Sequence, residues 1–258
     1  MSIFIAIILG IIQGLTEFLP VSSSGHLVLF QRIFGISVDC ILFDVVLHFG
    51  TLVAIIVVFN KQILELIKNP FSQKAIYIYL ATFITGIIAI IFNDFFEKSF
   101  NGNALFAGFF VTAVFLTITE IISRKHYQYK TMDYKKAMFV GMFQGIAIMP
   151  GISRSGSTIT SLIFQGVRRD ESAEFSFILS IPVIFLSAIY ELVKSPQSAV
   201  SVPLSCYFVG FVFAGVSGFL AIKLMLKVIK KAKYTGFIVY LVLLSIFLFL
   251  NQFVLFWF

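Results

Sequence analysis

The chain has 258 residues, is 59% hydrophobic and only 12% charged, and has a formal net charge of +7, with a mean hydropathy of +1.02. A water-soluble domain carries about 25% charged residues, so this composition excludes a soluble globular enzyme and predicts an integral membrane protein. The excess positive charge does not imply a nucleic-acid partner, because the basic residues fall in short loops between apolar runs.

The first apolar region, 3–35, lacks a basic leader and a small-residue cleavage site, and is expected to stay in the protein rather than act as a signal peptide. It is interrupted at residues 13–26, Q-G-L-T-E-F-L-P-V-S-S-S-G-H. Three uninterrupted stretches follow, roughly 41–60, 75–93 and 104–122, each close to the ~20 residues that a spanning helix requires. The linker 123–136 is basic. A second interrupted region, 137–167, carries Q-G-I-A-I-M-P-G-I-S-R-S-G-S at 144–157. Three more spans are expected at 173–193, 205–223 and 236–256. The pieces after each interruption are only about a dozen residues long, which suits re-entrant half-helices better than full crossings. Trp257 reads as an interfacial anchor. Cys40 and Cys206 have no metal or disulfide spacing and read as packing residues.

The two interruptions are copies. An offset of 131 residues pairs Gln13 with Gln144, Gly14 with Gly145, Ser22 with Ser153, Ser24 with Ser155 and Gly25 with Gly156. Fifteen of the 19 basic residues sit in four places: the loop 61–74, the linker 123–136, Arg168–Arg169 and the surroundings of 224–233. All four fall on one face if both broken regions dip in and return to the same side, and the positive-inside rule makes that face cytoplasmic. Three spans between the copies then make the halves inverted. The expected fold is an all-α polytopic membrane protein forming a single domain over 1–258. Its inverted-topology repeats are about 1–122 and 137–258, each a re-entrant pair plus three transmembrane helices, with both termini outside. Such folds place their sites where broken helices meet.

The chemistry follows from the residue types. Gln13 and Glu17 are four apart and share a helix face. Pro20 ends that helix, and Ser22, Ser23, Ser24 and Gly25 open the next, with His26 behind them. Pro150 and Gly151 break the second copy, and Ser153, Arg154, Ser155 and Gly156 open its next helix. Serines before an apolar helical run are N-caps, and a helix N-terminus with small hydroxyls receives phosphate readily. Arg154 adds a planar fork suited to phosphate oxygens. Glu17 can serve as general base, His26 as acid, base or nucleophile, and a neighbouring serine as nucleophile. Charges within a bilayer cost at least about 2.5–3.5 kcal/mol, so each is a functional candidate. A buried Glu17–Arg154 ion pair holding the repeats together is the blander alternative. Asp44 and His48, again four apart, either support the first motif from behind or knit helices together.

On these motifs, together with F-D-V-V-L-H-F-G-T at 43–51 and P-G-I-S-R-S-G at 150–156, the whole chain resembles the undecaprenyl-diphosphate phosphatase family, the bacterial membrane enzymes linked to bacitracin resistance. The resemblance implies an inverted-repeat fold in the cytoplasmic membrane, with the site facing the outer side. It also implies hydrolysis of the C55 polyprenyl diphosphate to the monophosphate and inorganic phosphate, which recycles the carrier for cell-wall synthesis. Glu17, Ser23, His26 and Arg154 match the family's catalytic positions. Ser22 and Ser24 match phosphate contacts, and Gln13, Gly25, Ser153, Ser155 and Gly156 join them as expected substrate-binding residues. The family has Glu or Gln at the first acidic position, and here it is Gln13, so a two-carboxylate mechanism does not apply. Ser23 and His26 both stand as nucleophiles. No organic cofactor and no protein metal cage is expected. Mg2+ or Ca2+ would be carried with the diphosphate. The bilayer and the lipid substrate are the expected partners, and a homodimer stays open. The rival reading is a polyprenyl-phosphate transporter or flippase that binds the same lipid without cleaving it.

Overall fold

A computed structural model describes residues 1–36, 40–122, 129–194, 202–231 and 234–255. Trp257 and residues 123–128 of the basic linker lie outside the described residues. Every regular element among the described residues is helical: α1 (Ile3–Phe18), α2 (Ser23–Ile33), α3 (Ile41–Val58), α4 (Asn60–Lys68), α5 (Gln73–Ile91), α6 (Asn93–Ser99), α7 (Leu105–Ile122), α8 (Tyr134–Ile146), α9 (Arg154–Phe164), α10 (Arg169–Lys194), α11 (Leu204–Lys231) and α12 (Thr235–Leu250), with a π-helical turn at Asn251–Leu255.

Six helices are long and apolar enough to cross a membrane: α3, α5, α7, α10, α11 and α12 extended by the π turn. They coincide with the six expected spans. In lipid every backbone polar group must be paired within the segment, so long apolar stretches fold as helices. Phe83, Phe110 and Phe208 remain exposed on this bundle, whereas Phe18, Phe43, Phe109 and Phe177 are buried. Two boundaries differ from expectation. The helix α10 starts at Arg169, with Asp170 and Glu171 in its first turn, where acidic side chains complement the helix dipole. The helix α11 continues to Lys231. The expected loop 61–74 contains α4, which buries no residue and exposes Leu64 and Ile67 beside Lys61 and Lys68. That composition suits a helix lying in the membrane interface.

The broken regions pack across the two halves. The helix α1 runs along α11, and α8 runs along α5. A methyl group added at Gly10 would lie 2.7 Å from the Gly210 carbonyl oxygen, so small residues set the α1–α11 approach. Between α5 and α8, Thr85 Oγ donates to the Gly141 carbonyl at 3.1 Å and accepts from Gln144 Nε2 at 3.0 Å.

Contacts at the helix ends sort into two groups. Arg32, at the end of α2, donates to the Asn101 carbonyl between α6 and α7. Tyr190 near the end of α10 donates to Asn93 Oδ1 at 2.8 Å, and Lys194 pairs with Glu97. In the other group, Lys130 N–H donates to the Gly166 carbonyl beyond α9 at 2.9 Å. Lys74 at the start of α5 pairs with Glu174 at 2.5 Å, and Arg169 Nη1 reaches the Ile229 carbonyl at 3.4 Å. Asp133 caps α8 by accepting from Lys136 N–H at 2.9 Å. Hydrogen bonding from the Lys136 side chain, then from its N–H, holds the Asp133 carboxyl below its ordinary range.

Candidate active site

The N-termini of α2 and α9 meet in the protein interior. The two caps are alike: Ser22 Oγ accepts from Gly25 N–H at 3.3 Å, and Ser153 Oγ accepts from Gly156 N–H at 3.1 Å. The hydroxyl pairs Ser22–Ser24 and Ser153–Ser155 are 3.4 and 3.3 Å apart. The N–H groups of Gly25 and Gly156 are therefore taken by their own caps. The first N–H groups of each helix have no intrahelical acceptor, which leaves those of Ser23, Ser24, Arg154 and Ser155 as the ones available to an anion.

The copies interlock. Gly151 N–H donates to Ser22 Oγ at 3.1 Å, and Ser155 Oγ donates to the Leu19 carbonyl at 3.3 Å. A Cβ on Gly25 would lie 2.7 Å from Gly151 N and 2.8 Å from its Cα, so Gly25 serves close approach of the two turns. Gly151 has φ +90°, and the corresponding strain in the first copy falls on Ser22, with φ +70°. A non-glycine residue there costs roughly 1–3 kcal/mol and persists only when its surroundings hold it. Ser22 is held by the N–H groups it accepts from both halves.

At the centre is Glu17, at the C-terminal end of α1. Arg154 Nη2 donates to its Oε1. Its Oε2 accepts from Ser23 Oγ at 2.5 Å and from Gln13 Nε2 at 3.0 Å, and His48 Nε2 lies 3.8 Å away. Arg154 Nη1 is buried without a hydrogen-bond partner inside the protein. A cavity of about 30 Å³ is lined by Thr16, Glu17, Ser22, Ser23, Ser24, Ala147, Ile152, Ser153 and Arg154. It has room for about one water.

His26 is buried but does not line this cavity. Its Nδ1 meets the Ser22 carbonyl at 2.7 Å and its Nε2 meets Tyr240 Oη at 2.7 Å. A carbonyl only accepts, so Nδ1 carries the proton, and in the neutral ring Nε2 accepts from the tyrosine. The ring also stacks on Tyr240 and meets Phe109 edge-on. Asp44 does not touch the site directly: both its carboxylate oxygens accept from Gln31 Nε2 on α2, at 2.8 and 3.0 Å.

Glu17, Ser23, Arg154, Gln13, Ser22, Ser24 and Ser153 thus come together, with His48 alongside. His26, Asp44, Ser155, Gly25 and Gly156 support them from behind. Tyr240 and Thr112 were not legible in the sequence. Thr112 Oγ donates to the Gly151 carbonyl at 2.8 Å and accepts from Ser153 N–H at 2.9 Å, pinning the second turn to α7. Each is one of several scattered polar residues in an apolar span, a weak signal without its partner.

The family described as "Bacitracin resistance protein BacA" matches residues 6–247. The chain belongs to the BacA family. Among its relatives is the undecaprenyl-diphosphatase of Halothermothrix orenii, 45% identical over 249 residues that cover 93% of this chain and 94% of the relative. The undecaprenyl-diphosphatase of Carboxydothermus hydrogenoformans is 41% identical over 250 residues, covering 95% of this chain and 96% of the relative. One from Methanosphaera stadtmanae is 40% identical over 256 residues, covering 89% and 91%. The BacA match thus includes both interrupting motifs and reaches into the last of the six long apolar helices.

Proposed function

We propose that this BacA-family protein is an undecaprenyl-diphosphate phosphatase that hydrolyses the C55 diphosphate to the monophosphate and inorganic phosphate. The observation that carries the mechanism is the arrangement at Glu17: one oxygen receives the Ser23 hydroxyl at 2.5 Å and the other receives Arg154. A serine hydroxyl that donates to a carboxylate has a general base in place to activate it as a nucleophile. Ser23 Oγ attacks the terminal phosphorus and its proton passes to Glu17. The bond from phosphorus to the bridging oxygen breaks, and the electron pair leaves on the lipid monophosphate. Glu17 sheds that proton before the second step, and water then attacks the serine phosphate and gives one proton through the restored Glu17 carboxylate to Ser23 Oγ, releasing inorganic phosphate. Arg154, with Nη1 still unpartnered, and the N–H groups opening α2 and α9 stabilise the charge that develops on the phosphoryl oxygens.

The structure favours Ser23 over His26 as nucleophile because both His26 nitrogens are engaged and the ring lies off the cavity. In this reading His26 holds the Ser22 carbonyl and thereby the start of α2. The cavity is too small for a diphosphate, so binding requires Arg154 to turn from Glu17 toward phosphate. Among the described residues no group of three or more His, Cys, Asp or Glu side chains could hold a metal ion. In this reading a Mg2+ or Ca2+ ion would be held mainly by the diphosphate. Among the described lining residues, Glu17, Thr16 and the serines supply the side-chain oxygens that could complete its coordination.

The halves read as inverted repeats, supported by the matching caps and by the exchange of α1–α11 for α8–α5. The reading includes the bacterial cytoplasmic membrane, a site open to the outer side and outward termini. A homodimer is the oligomer to test, by light scattering in detergent.

The deciding experiment is phosphate release from C55 diphosphate by the purified protein in detergent, where binding without release would favour the transporter. Ser23→Ala should lose on the order of 10³-fold or more in turnover. Quenched turnover should yield an acid-stable phosphoserine on the wild type. An acid-labile phosphohistidine at His26 would overturn the Ser23 assignment.

A further inference from the structure

We infer that His48 is the proton-exchange partner of Glu17, acting through Glu17 rather than on the substrate. This rests on the phosphatase reading above.

The two histidines near the site are held alike but face different groups. His48 Nδ1 meets the Asp44 carbonyl one turn back at 2.7 Å, and a carbonyl can only accept, so Nδ1 carries the proton in the neutral ring. Nε2 then presents a lone pair, and it lies 3.8 Å from Glu17 Oε2. That distance is beyond a hydrogen bond and too short for a water between them. A proton on either atom would turn this neighbouring pair of acceptors into a charge-assisted hydrogen bond after a small approach. His26, held by the same i−4 bond, instead spends its Nε2 on Tyr240.

The catalytic cycle supplies that proton. Glu17 takes it from Ser23 as the Oγ–phosphorus bond forms. A carboxylate bonded to Arg154 and Gln13 is a poor place to keep it. Transfer to His48 Nε2 gives an imidazolium that donates to Glu17 Oε2 and restores the carboxylate needed to accept a proton from water in the second step. The His48 side chain is 28% exposed and that of Glu17 only 5%, so His48 is the member of the pair that can exchange with the surroundings. The charged groups around it are Glu17 on α1, Asp44 on its own helix and Arg154 on α9, with Glu191 on α10 acting on Asp44. Asp44 is tied to Gln31 on α2. It therefore fixes the turn of α3 whose carbonyl orients His48, and also anchors the helix that carries Ser23. The chain order Ser23, Glu17, His48 makes a relay in which the acid sits between nucleophile and imidazole.

The test compares His48→Ala and His48→Gln with the wild type, using phosphate release from C55 diphosphate in detergent, after thermal melting confirms that the variants are folded. Both should lose about 10²-fold in kcat, with KM changed less than about threefold because His48 does not touch substrate. Added imidazole should restore His48→Ala at least about tenfold, with a rescue that rises as the neutral base increases with pH. Glutamine can donate to Glu17 but cannot carry a proton, so wild-type turnover in His48→Gln would overturn the inference. So would a loss in His48→Ala that imidazole leaves unchanged. If the wild type itself releases no phosphate, the phosphatase reading fails. If it does, and the His48 variants match it, the failure is of His48 alone.

Discussion

Arg154 and Glu17, 137 residues apart, form a buried ion pair that joins the start of α9 to the end of α1. The side chains are 15% and 5% exposed. The pair is therefore both a tie between the halves and the centre of the proposed chemistry. Removing one partner leaves a buried charge uncompensated, which typically costs about 3–5 kcal/mol. Arg154→Ala and Glu17→Ala should each lose on the order of 10²-fold or more in turnover and also melt at lower temperature in detergent. The double variant should be inactive yet more stable than the sum of the two single losses indicates. Simple additivity in the melting data would argue against a coupled pair.

Ser22 tests the geometry of the first turn. Its backbone sits at φ +70° while its hydroxyl accepts from Gly25 and Gly151. Ser22→Ala keeps the strain and loses both bonds, and should cost about 1–2 kcal/mol. Ser22→Gly relieves the strain and should cost less. Unfolding in detergent reads the order, and a glycine variant less stable than the alanine one would show that strain is not the relevant quantity.

Gly25→Ala places a methyl group against Gly151 and the Phe109 ring, 2.8 Å from Phe109 Cζ. The turns must move apart, which displaces Ser23 relative to Arg154. A shift of about 1 Å can cost on the order of 10²-fold in rate, so turnover should fall by about that factor. Wild-type kcat in a folded variant would mean that the two turns need not touch.

Tyr240→Phe retains the stacking on His26 and removes one hydrogen bond. If His26 only positions the Ser22 carbonyl, turnover should fall less than about tenfold, since a net hydrogen bond is worth about 1 kcal/mol. A drop as large as that of His26→Ala would place the Nε2–tyrosine bond at the chemistry itself.

Orientation is read by cysteine labelling. Cys40 and Cys206 are buried, so their background should be low. A cysteine at position 100 should react with an impermeant reagent in intact cells and one at position 130 should not. The reverse pattern would turn the topology over.

The features legible in the sequence were those set by short segments. Spans show because crossing lipid demands about 20 apolar residues in a row, and the six long helices lie where those runs lie. The caps show because Ser22–Gly25 and Ser153–Gly156 bonds close over three residues. The segment of α4 reads as a loop in the sequence because its lysines mask the apolar pair Leu64 and Ile67. The length of α11 was missed because Lys223 and Lys227 look like a loop until their helix is seen continuing beyond the span.

Local chemistry could nominate Glu17, Ser23, His26 and Arg154, and offer a Glu17–Arg154 ion pair as one alternative, without deciding which of them touch. Hydropathy and helix capping are properties of neighbouring residues, and one chain reports them directly. The Glu17–Arg154 pair, the 214-residue reach from His26 to Tyr240 and the approach of His48 to Glu17 depend on how helices are rotated and packed. Those rotations are decided by small-residue contacts such as Gly10 with Gly210 and Gly25 with Gly151, whose partners are spatial rather than sequential. Hence the sequence could name two candidate nucleophiles, and only packing puts Ser23 on the carboxylate and His26 on a tyrosine.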